Sequence, residues 1–205
     1  MNIRNAMRYL EKRLSAARFN HCVNVMDIMS AASALYHLDH DEAVQAGLLH
    51  DIAREFSIEE IVEILEKHDP LPLSQLPINC HVVEHLHGPA GAVIVSQRWD
   101  RDIKSDNVLI AIRQHSGAFL DMSKLSQCLH VADVLVPIKD FRGRKKLERF
   151  FMSGRLAEAE ILLFHFAAEY FREKELSIPP AYAVNVESLA KTIGSKPPEF
   201  FSRED

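Results

Sequence analysis

The feature that most constrains this chain is an apolar run over residues 46–56 that carries a histidine and an aspartate side by side. The run reads AGLLHDIAREF and has His50 and Asp51 near its centre. Burying two ionisable side chains among apolar ones is costly unless each finds a partner. A metal ion shared with other His and Asp residues would be such a partner. The chain must therefore fold so that further ligands reach this pair.

Polar and proline residues divide the rest of the sequence into predicted helices. Nearly every segment has the spacing of an amphipathic helix, and no stretch alternates convincingly as a half-buried strand does. Ser57 and Glu60 have the spacing of a capping box at the start of a helix. The preceding helix, which carries His50, is expected to end near residue 56. We expect an all-α bundle in a single domain over residues 1–193, followed by a flexible tail over residues 194–205.

Composition excludes several classes of function. The net charge of −5 argues against a nucleic-acid-binding face, which needs to be basic. No apolar run has the length of a membrane span. The three cysteines are odd in number and far apart, which is typical of buried thiols in a reduced compartment. We expect a soluble cytoplasmic protein that binds neither nucleic acid nor a membrane.

Two imidazoles and two carboxylates form a candidate metal site. They are His21, His50, Asp51 and Asp133. This mixed set of nitrogen and oxygen ligands suits Fe, Mn, Mg or Co, whereas a structural zinc site would more often use thiolates. Such an ion supports hydrolysis because it lowers the pKa of a water and neutralises phosphate charge, and Asp51 is the candidate to orient or deprotonate that water. Each of these residues taken alone would favour an ordinary core side chain; their order along the chain favours the site.

That order, His, then His-Asp, then Asp, resembles the HD-domain phosphohydrolase superfamily, whose helical bundle holds a divalent metal. More narrowly, the chain resembles the YqeK-type bacterial hydrolases, which cleave diadenosine tetraphosphate symmetrically into two ADP. The segments that carry the narrower resemblance are RFNH at 18–21, AGLLHDIAR at 46–54, LHGPAGA at 86–92, AIRQHS at 111–116, HVAD at 130–133 and PIKDFRG at 137–143.

The resemblance implies a function for each of these segments. His21, His50, Asp51 and Asp133 would bind iron, or alternatively Mn, Co or Mg. The catalytic residues would be Asp51, His87 and His115. The two histidines would face the phosphates, to which a protonated histidine can donate a charge-assisted hydrogen bond. A small nucleotide would be the substrate and a homodimer the assembly. The further substrate contacts implied are Arg18, Arg54, Ser116, Lys139, Arg142 and Tyr182.

The chain departs from this family where substrate is recognised. Val136 stands where the family commonly has Glu, Phe119 where a basic residue is usual, and Lys139 where an Arg would bind phosphate in bidentate fashion. None of these positions belongs to the metal set. Two alternatives therefore stay open: an HD hydrolase acting on another nucleotide, and a non-catalytic module that binds a nucleotide and regulates a partner.

A different motif points to a peptidase. Residues 81–85 read HVVEH and fit the H-x-x-E-H pattern, in which two histidines bind zinc and the glutamate activates water. The predicted helix that carries it is short, because Pro77 and Gly88 lie on either side. The motif also leaves His50 and Asp51 unexplained. We interpret it as a chance match on a polar helical face.

Overall fold

The computed structural model describes residues 1–69, 83–99, 102–117, 119–136 and 143–195, and within them it is all-α. A 3₁₀ turn over Val83–Leu86 precedes the fifth helix. No strand occurs in the described ranges, so the predicted fold class is confirmed. The helices are α1 Ile3–Glu11, α2 Ala16–Tyr36, α3 His40–Leu49, α4 Ile58–His68, α5 His87–Trp99, α6 Asp106–Gln114, α7 Lys124–Leu135, α8 Arg144–Met152, α9 Leu156–Glu173 and α10 Pro180–Thr192.

The boundary of α3 differs from the sequence prediction. The helix ends at Leu49, with His50 as its C-cap, and does not continue to residue 56. The following residues form consecutive turns, in which the amide of Arg54 donates to the carbonyl of Asp51 at 3.0 Å. The predicted capping box of Ser57 and Glu60 is confirmed at the start of α4. Asp51 therefore lies just beyond a helix end, where its side chain faces several elements at once.

Gly47 explains how α3 comes so close to α2. A Cβ atom at this position would lie 2.8 Å from the Cα atom of Met26 and 3.2 Å from Cγ of Met29. Only glycine permits that approach without a shift of backbone. The close packing places the end of α3, with His50, beside His21 in the second turn of α2.

The core surrounds this contact and extends along the bundle. Helix α3 also packs against α6 and α7, and the fully buried side chains here include Leu48, Ile112 and Leu129. A smaller apolar cluster, which contains Phe164 and Tyr182, joins α9 to α10. None of the described helices has the length and apolar character needed to cross a membrane. The single domain and the flexible tail stay predictions, and residues 196–205 lie outside the described ranges.

Candidate active site

Helices α2 and α7 and the end of α3 bring together the four predicted metal ligands, His21, His50, Asp51 and Asp133. One ligand atom from each lies within 4.8 Å of the others. Asp133 Oδ1 lies 2.7 Å from His21 Nε2 and 3.4 Å from His50 Nε2. Asp51 Oδ2 lies 3.4 Å from His50 Nε2 and 3.7 Å from His21 Nε2. The arrangement has the size and the donor atoms of a site for one cation.

His50 shows that a cation fits. Its Nδ1–H donates to the carbonyl oxygen of Gly47 at 2.8 Å, since a carbonyl can only accept, and this leaves a lone pair on Nε2. Nε2 is buried and has no hydrogen-bond partner among the described residues. It faces oxygen atoms of Asp51 and Asp133, which are also acceptors. Three acceptors that converge in a buried place need a positive charge between them.

The electrostatics of the site lead to the same conclusion. Burial alone would lower the pKa of His50, but Asp51 and Asp133 raise it well above its usual value. Burial alone would raise the pKa of Asp133, but the hydrogen bond from His21 and the neighbouring imidazole of His50 lower it. The protein groups thus create a negative field that attracts positive charge. A divalent cation suits both this charge and the mixed nitrogen and oxygen set.

Asp51 joins this metal set to a second pair of histidines. Its Oδ1 atom lies 3.1 Å from His87 Nε2 and 3.6 Å from His115 Nε2, and the two Nε2 atoms are 3.1 Å apart. His115 donates its Nδ1–H to the carbonyl of Ile112 at 2.7 Å. Burial lowers the pKa of His115 to about 4, so it is neutral near pH 7. Burial thus works against the protonated donor that the resemblance implies for His115, and the catalytic role of this residue stays a prediction.

The other predicted contacts divide into those that the structure places and those that it does not. Arg18, Arg54, Ser116 and Tyr182 line one cleft of about 460 Å³, with His21, Asp51 and Asp133 of the metal set on its wall. Arg18 also donates to Asp51 Oδ2 at 2.7 Å. Ser116, just after α6, donates to the carbonyl of His85 at 2.6 Å and thereby connects the end of α6 to the 3₁₀ turn before α5. Lys139, Arg142 and the first two residues of the HVVEH motif lie outside the described residues.

Comparison with known proteins identifies the family. Residues 18–138, which span the whole metal set, match the HD domain. This chain belongs to the HD domain family. It is 31% identical over 147 residues to the symmetrical bis(5'-nucleosyl)-tetraphosphatase of Halalkalibacterium halodurans, covering 72% of this chain and 75% of that one. A protein of the same name from Bacillus subtilis is 28% identical over 143 residues, with 70% and 74% covered.

A solved HD structure has the same fold along nearly the whole chain. The crystal structure of a Clostridium acetobutylicum protein, described as a predicted HD superfamily hydrolase involved in NAD metabolism, superposes with a TM-score of 0.82. The two sequences are 25% identical, and the match covers 94% of this chain and 98% of that one. The expected HD-domain bundle and the narrower resemblance to the tetraphosphatases are both confirmed.

The HD domain also contains cleft residues that the sequence prediction did not assign to the site. His85 and His130 both line the cleft. Burial lowers the pKa of His85 to about 4. His130 stands one helical turn before Asp133, so the i, i+3 spacing on α7 could have identified it. Its partner, Glu160 on α9, could not have been found in this way, because the two residues meet only through tertiary packing.

Proposed function

We propose that the protein is a divalent-metal-dependent hydrolase that cleaves diadenosine tetraphosphate symmetrically, with one water, into two molecules of ADP. The observation that carries the proposal is the buried Nε2 atom of His50, which faces two carboxylates on the wall of a cleft with several basic side chains. The names of the relatives supply the substrate class. A small nucleotide is accordingly the substrate.

The cation would be held by His21, His50, Asp51 and Asp133. When bound there, it would supply Lewis acidity, lower the pKa of water and neutralise charge on a phosphate oxygen. We propose iron, because imidazole nitrogen and carboxylate oxygen together suit a borderline ion; manganese, cobalt and magnesium are the alternatives to be tested.

Asp51 serves to orient its neighbours. Burial alone would raise its pKa, but the neighbouring imidazoles of His50, His115 and His87 hold the pKa well below its usual value. Such a carboxylate is a poor general base near neutral pH. We therefore propose that Asp51 positions His50, His87 and the cation. It does not accept a proton from water.

His87 and His115 would share a proton close to the reacting phosphate. Their Nε2 atoms are 3.1 Å apart, and His115 offers an unprotonated Nε2 because its Nδ1 is bound to Ile112. A proton held between them stabilises charge that develops on a phosphate oxygen during cleavage. Arg18 and Arg54 supply positive charge on the same cleft. Ser116 and Tyr182 complete the proposed contacts on this cleft, and Lys139 and Arg142 stay predicted phosphate contacts.

Product analysis tests the proposal. The purified protein is loaded with Fe²⁺, Mn²⁺, Co²⁺ or Mg²⁺, given diadenosine tetraphosphate or other nucleotides, and its products are separated by anion-exchange chromatography. ADP as the sole product from diadenosine tetraphosphate supports symmetric cleavage, whereas ATP with AMP contradicts it. Preferred turnover of another nucleotide supports the first alternative, and no turnover with any metal supports a non-catalytic module.

A matched pair of variants on α3 controls for the metal site. His50→Ala removes the buried ligand and should abolish turnover. His40→Ala removes an exposed imidazole at the start of the same helix and should retain the wild-type rate. The proposed homodimer is checked separately by light scattering, and the cytoplasmic location stays a prediction.

A further inference from the structure

A buried carboxylate behind the cleft has no part in the proposed chemistry. Glu160 lies on α9 and is completely buried. Both of its oxygens face one nitrogen, since Oε2 and Oε1 lie 3.0 Å and 3.3 Å from Nδ1 of His130. A buried charge is retained only where it is paired. Glu160 therefore holds the His130 ring in one orientation, with a proton on Nδ1.

His130 has one side in the protein and one side in the cleft. Its ring packs on Phe164 at a centroid distance of 5.6 Å, and its side chain is 16% exposed. It lines the cleft that also contains Asp133, His87 and His115. No described residue forms a hydrogen bond with Nε2 of His130. With Nδ1 directed to Glu160, Nε2 is the atom that remains for a ligand.

The charges around His130 favour its protonated form. Burial opposes that form, but Glu160 and Asp133 raise the pKa of His130 above its usual value. The neighbouring imidazole of His85, by contrast, is neutral near pH 7 because its own pKa is lowered to about 4. Paired with the buried Glu160 carboxylate, a protonated His130 has an Nε2–H that can donate a charge-assisted hydrogen bond toward the cleft.

We propose that His130, oriented by Glu160, binds a phosphate group of the substrate through its Nε2–H. The ligand class is a nucleoside diphosphate or longer polyphosphate, so the inference rests on the proposed function for the nature of the ligand. His130 is a binding residue and Glu160 a positioning residue. A pair that served stability alone would have no reason to present the imidazole to the cleft.

Binding of ADP to the metal-loaded enzyme tests this role without turnover. Calorimetric titrations with ADP and with adenosine compare the wild type with the double variant His130→Leu/Glu160→Leu. Replacing a buried ion pair with apolar residues of similar size is usually tolerated, so this variant is expected to fold. Losing one charge-assisted hydrogen bond should weaken ADP binding about 10- to 100-fold. Adenosine binding should change less than about twofold, since adenosine has no phosphate.

Single variants on α9 separate positioning from general effects. Glu160→Gln keeps an acceptor for Nδ1–H but removes the charge, so it should weaken ADP binding less than the double variant does. Glu169→Gln is the matched control, because Glu169 pairs with His165 on the same helix and lies away from the cleft. It should leave the affinity for ADP unchanged. In the double variant, KM for diadenosine tetraphosphate should rise more than kcat falls.

The contrary results are distinct. ADP affinity within twofold of wild type in the folded double variant overturns the inference, as does an equal loss of ADP and adenosine binding or a loss of metal measured by elemental analysis. A wild type that binds ADP but cleaves no diadenosine tetraphosphate with any metal would refute the proposed function. The ADP titrations would still decide the role of His130.

Discussion

Replacing Gly88 with alanine tests how the start of α5 and the end of α6 bring His87 and His115 together. A Cβ atom at residue 88 would lie 2.3 Å from Ser116 Oγ and 3.0 Å from the carbonyl oxygens of Ile112 and Arg113. A rotation of the serine side chain could relieve the first contact. The other two involve backbone, so the start of α5 has to move.

The expected cost follows from this geometry. Overpacking of this kind costs about 1–3 kcal/mol of stability, and each kcal/mol lowers Tm by roughly 2–4 °C in a domain of this size. Because His87 is the adjacent residue, its Nε2 atom moves away from that of His115. A displacement of about 1 Å in a catalytic group can cost roughly 100-fold in rate. The four metal ligands lie on other elements and should keep their metal.

Thermal unfolding, elemental analysis and kcat/KM measure these effects. Ser116→Ala provides the baseline for the double variant Gly88→Ala/Ser116→Ala, in which only the clash with the carbonyl oxygens remains. Gly88→Ala should therefore lower Tm less in the Ser116→Ala protein than in the wild type. Gly117→Ala is the stability control, since its new Cβ would meet only the Phe119 ring at 3.4 Å. A Gly88→Ala protein with wild-type Tm and activity would refute the reasoning, as would one that loses its metal.

Further predictions concern the ligands and the fold. Loss of a residue that hydrogen-bonds to a metal ligand lowers metal affinity roughly 10–100-fold. Arg18→Ala removes such a partner of Asp51 and should fall within that range, whereas Asp133→Asn removes a ligand and should lose more. Metal titration measures both. Tyr36→Phe should cost about 1–3 kcal/mol in urea unfolding with kcat retained, because the carbonyl of Phe151 loses its 2.5 Å hydrogen bond. The pKa values of Asp51 and Asp133 are lowered from an unfolded value near 3.8. Their stabilising contribution is therefore present above that pH and lost as the pH falls below it. In EDTA, acid unfolding of the Asp133→Asn protein should show a weaker pH dependence than wild type, and an identical profile would contradict the assignment.

The sequence was most informative where chemistry and local structure coincide. The capping box of Ser57 and Glu60 depends on residues three positions apart, so its prediction needed no tertiary knowledge. His50 and Asp51 could be assigned to a shared site because burying both without a partner is costly. The end of α3 was predicted wrongly, since the apolar character that continues past Asp51 reflects burial of a turn and does not require a helix.

Contacts between distant helices could not be predicted from spacing. The lowered pKa of His115 results from its burial, and nothing in the local sequence indicates that burial. His130 and Glu160 are 30 positions apart and meet where α7 packs against α9. The close approach at Gly88 likewise depends on where α6 ends. Each of these features belongs to the proposed substrate cleft, which is the part of the site that the sequence leaves open.

Hydrolysis of diadenosine tetraphosphate in ¹⁸O-labelled water tests the central claim most directly. The metal-loaded enzyme should produce only ADP, with one ¹⁸O atom in the terminal phosphate of one ADP from each substrate molecule, as measured by mass spectrometry. Metal-free protein and His50→Ala should produce none. ATP and AMP as products, label in an α-phosphate, or undiminished cleavage by His50→Ala would contradict the account.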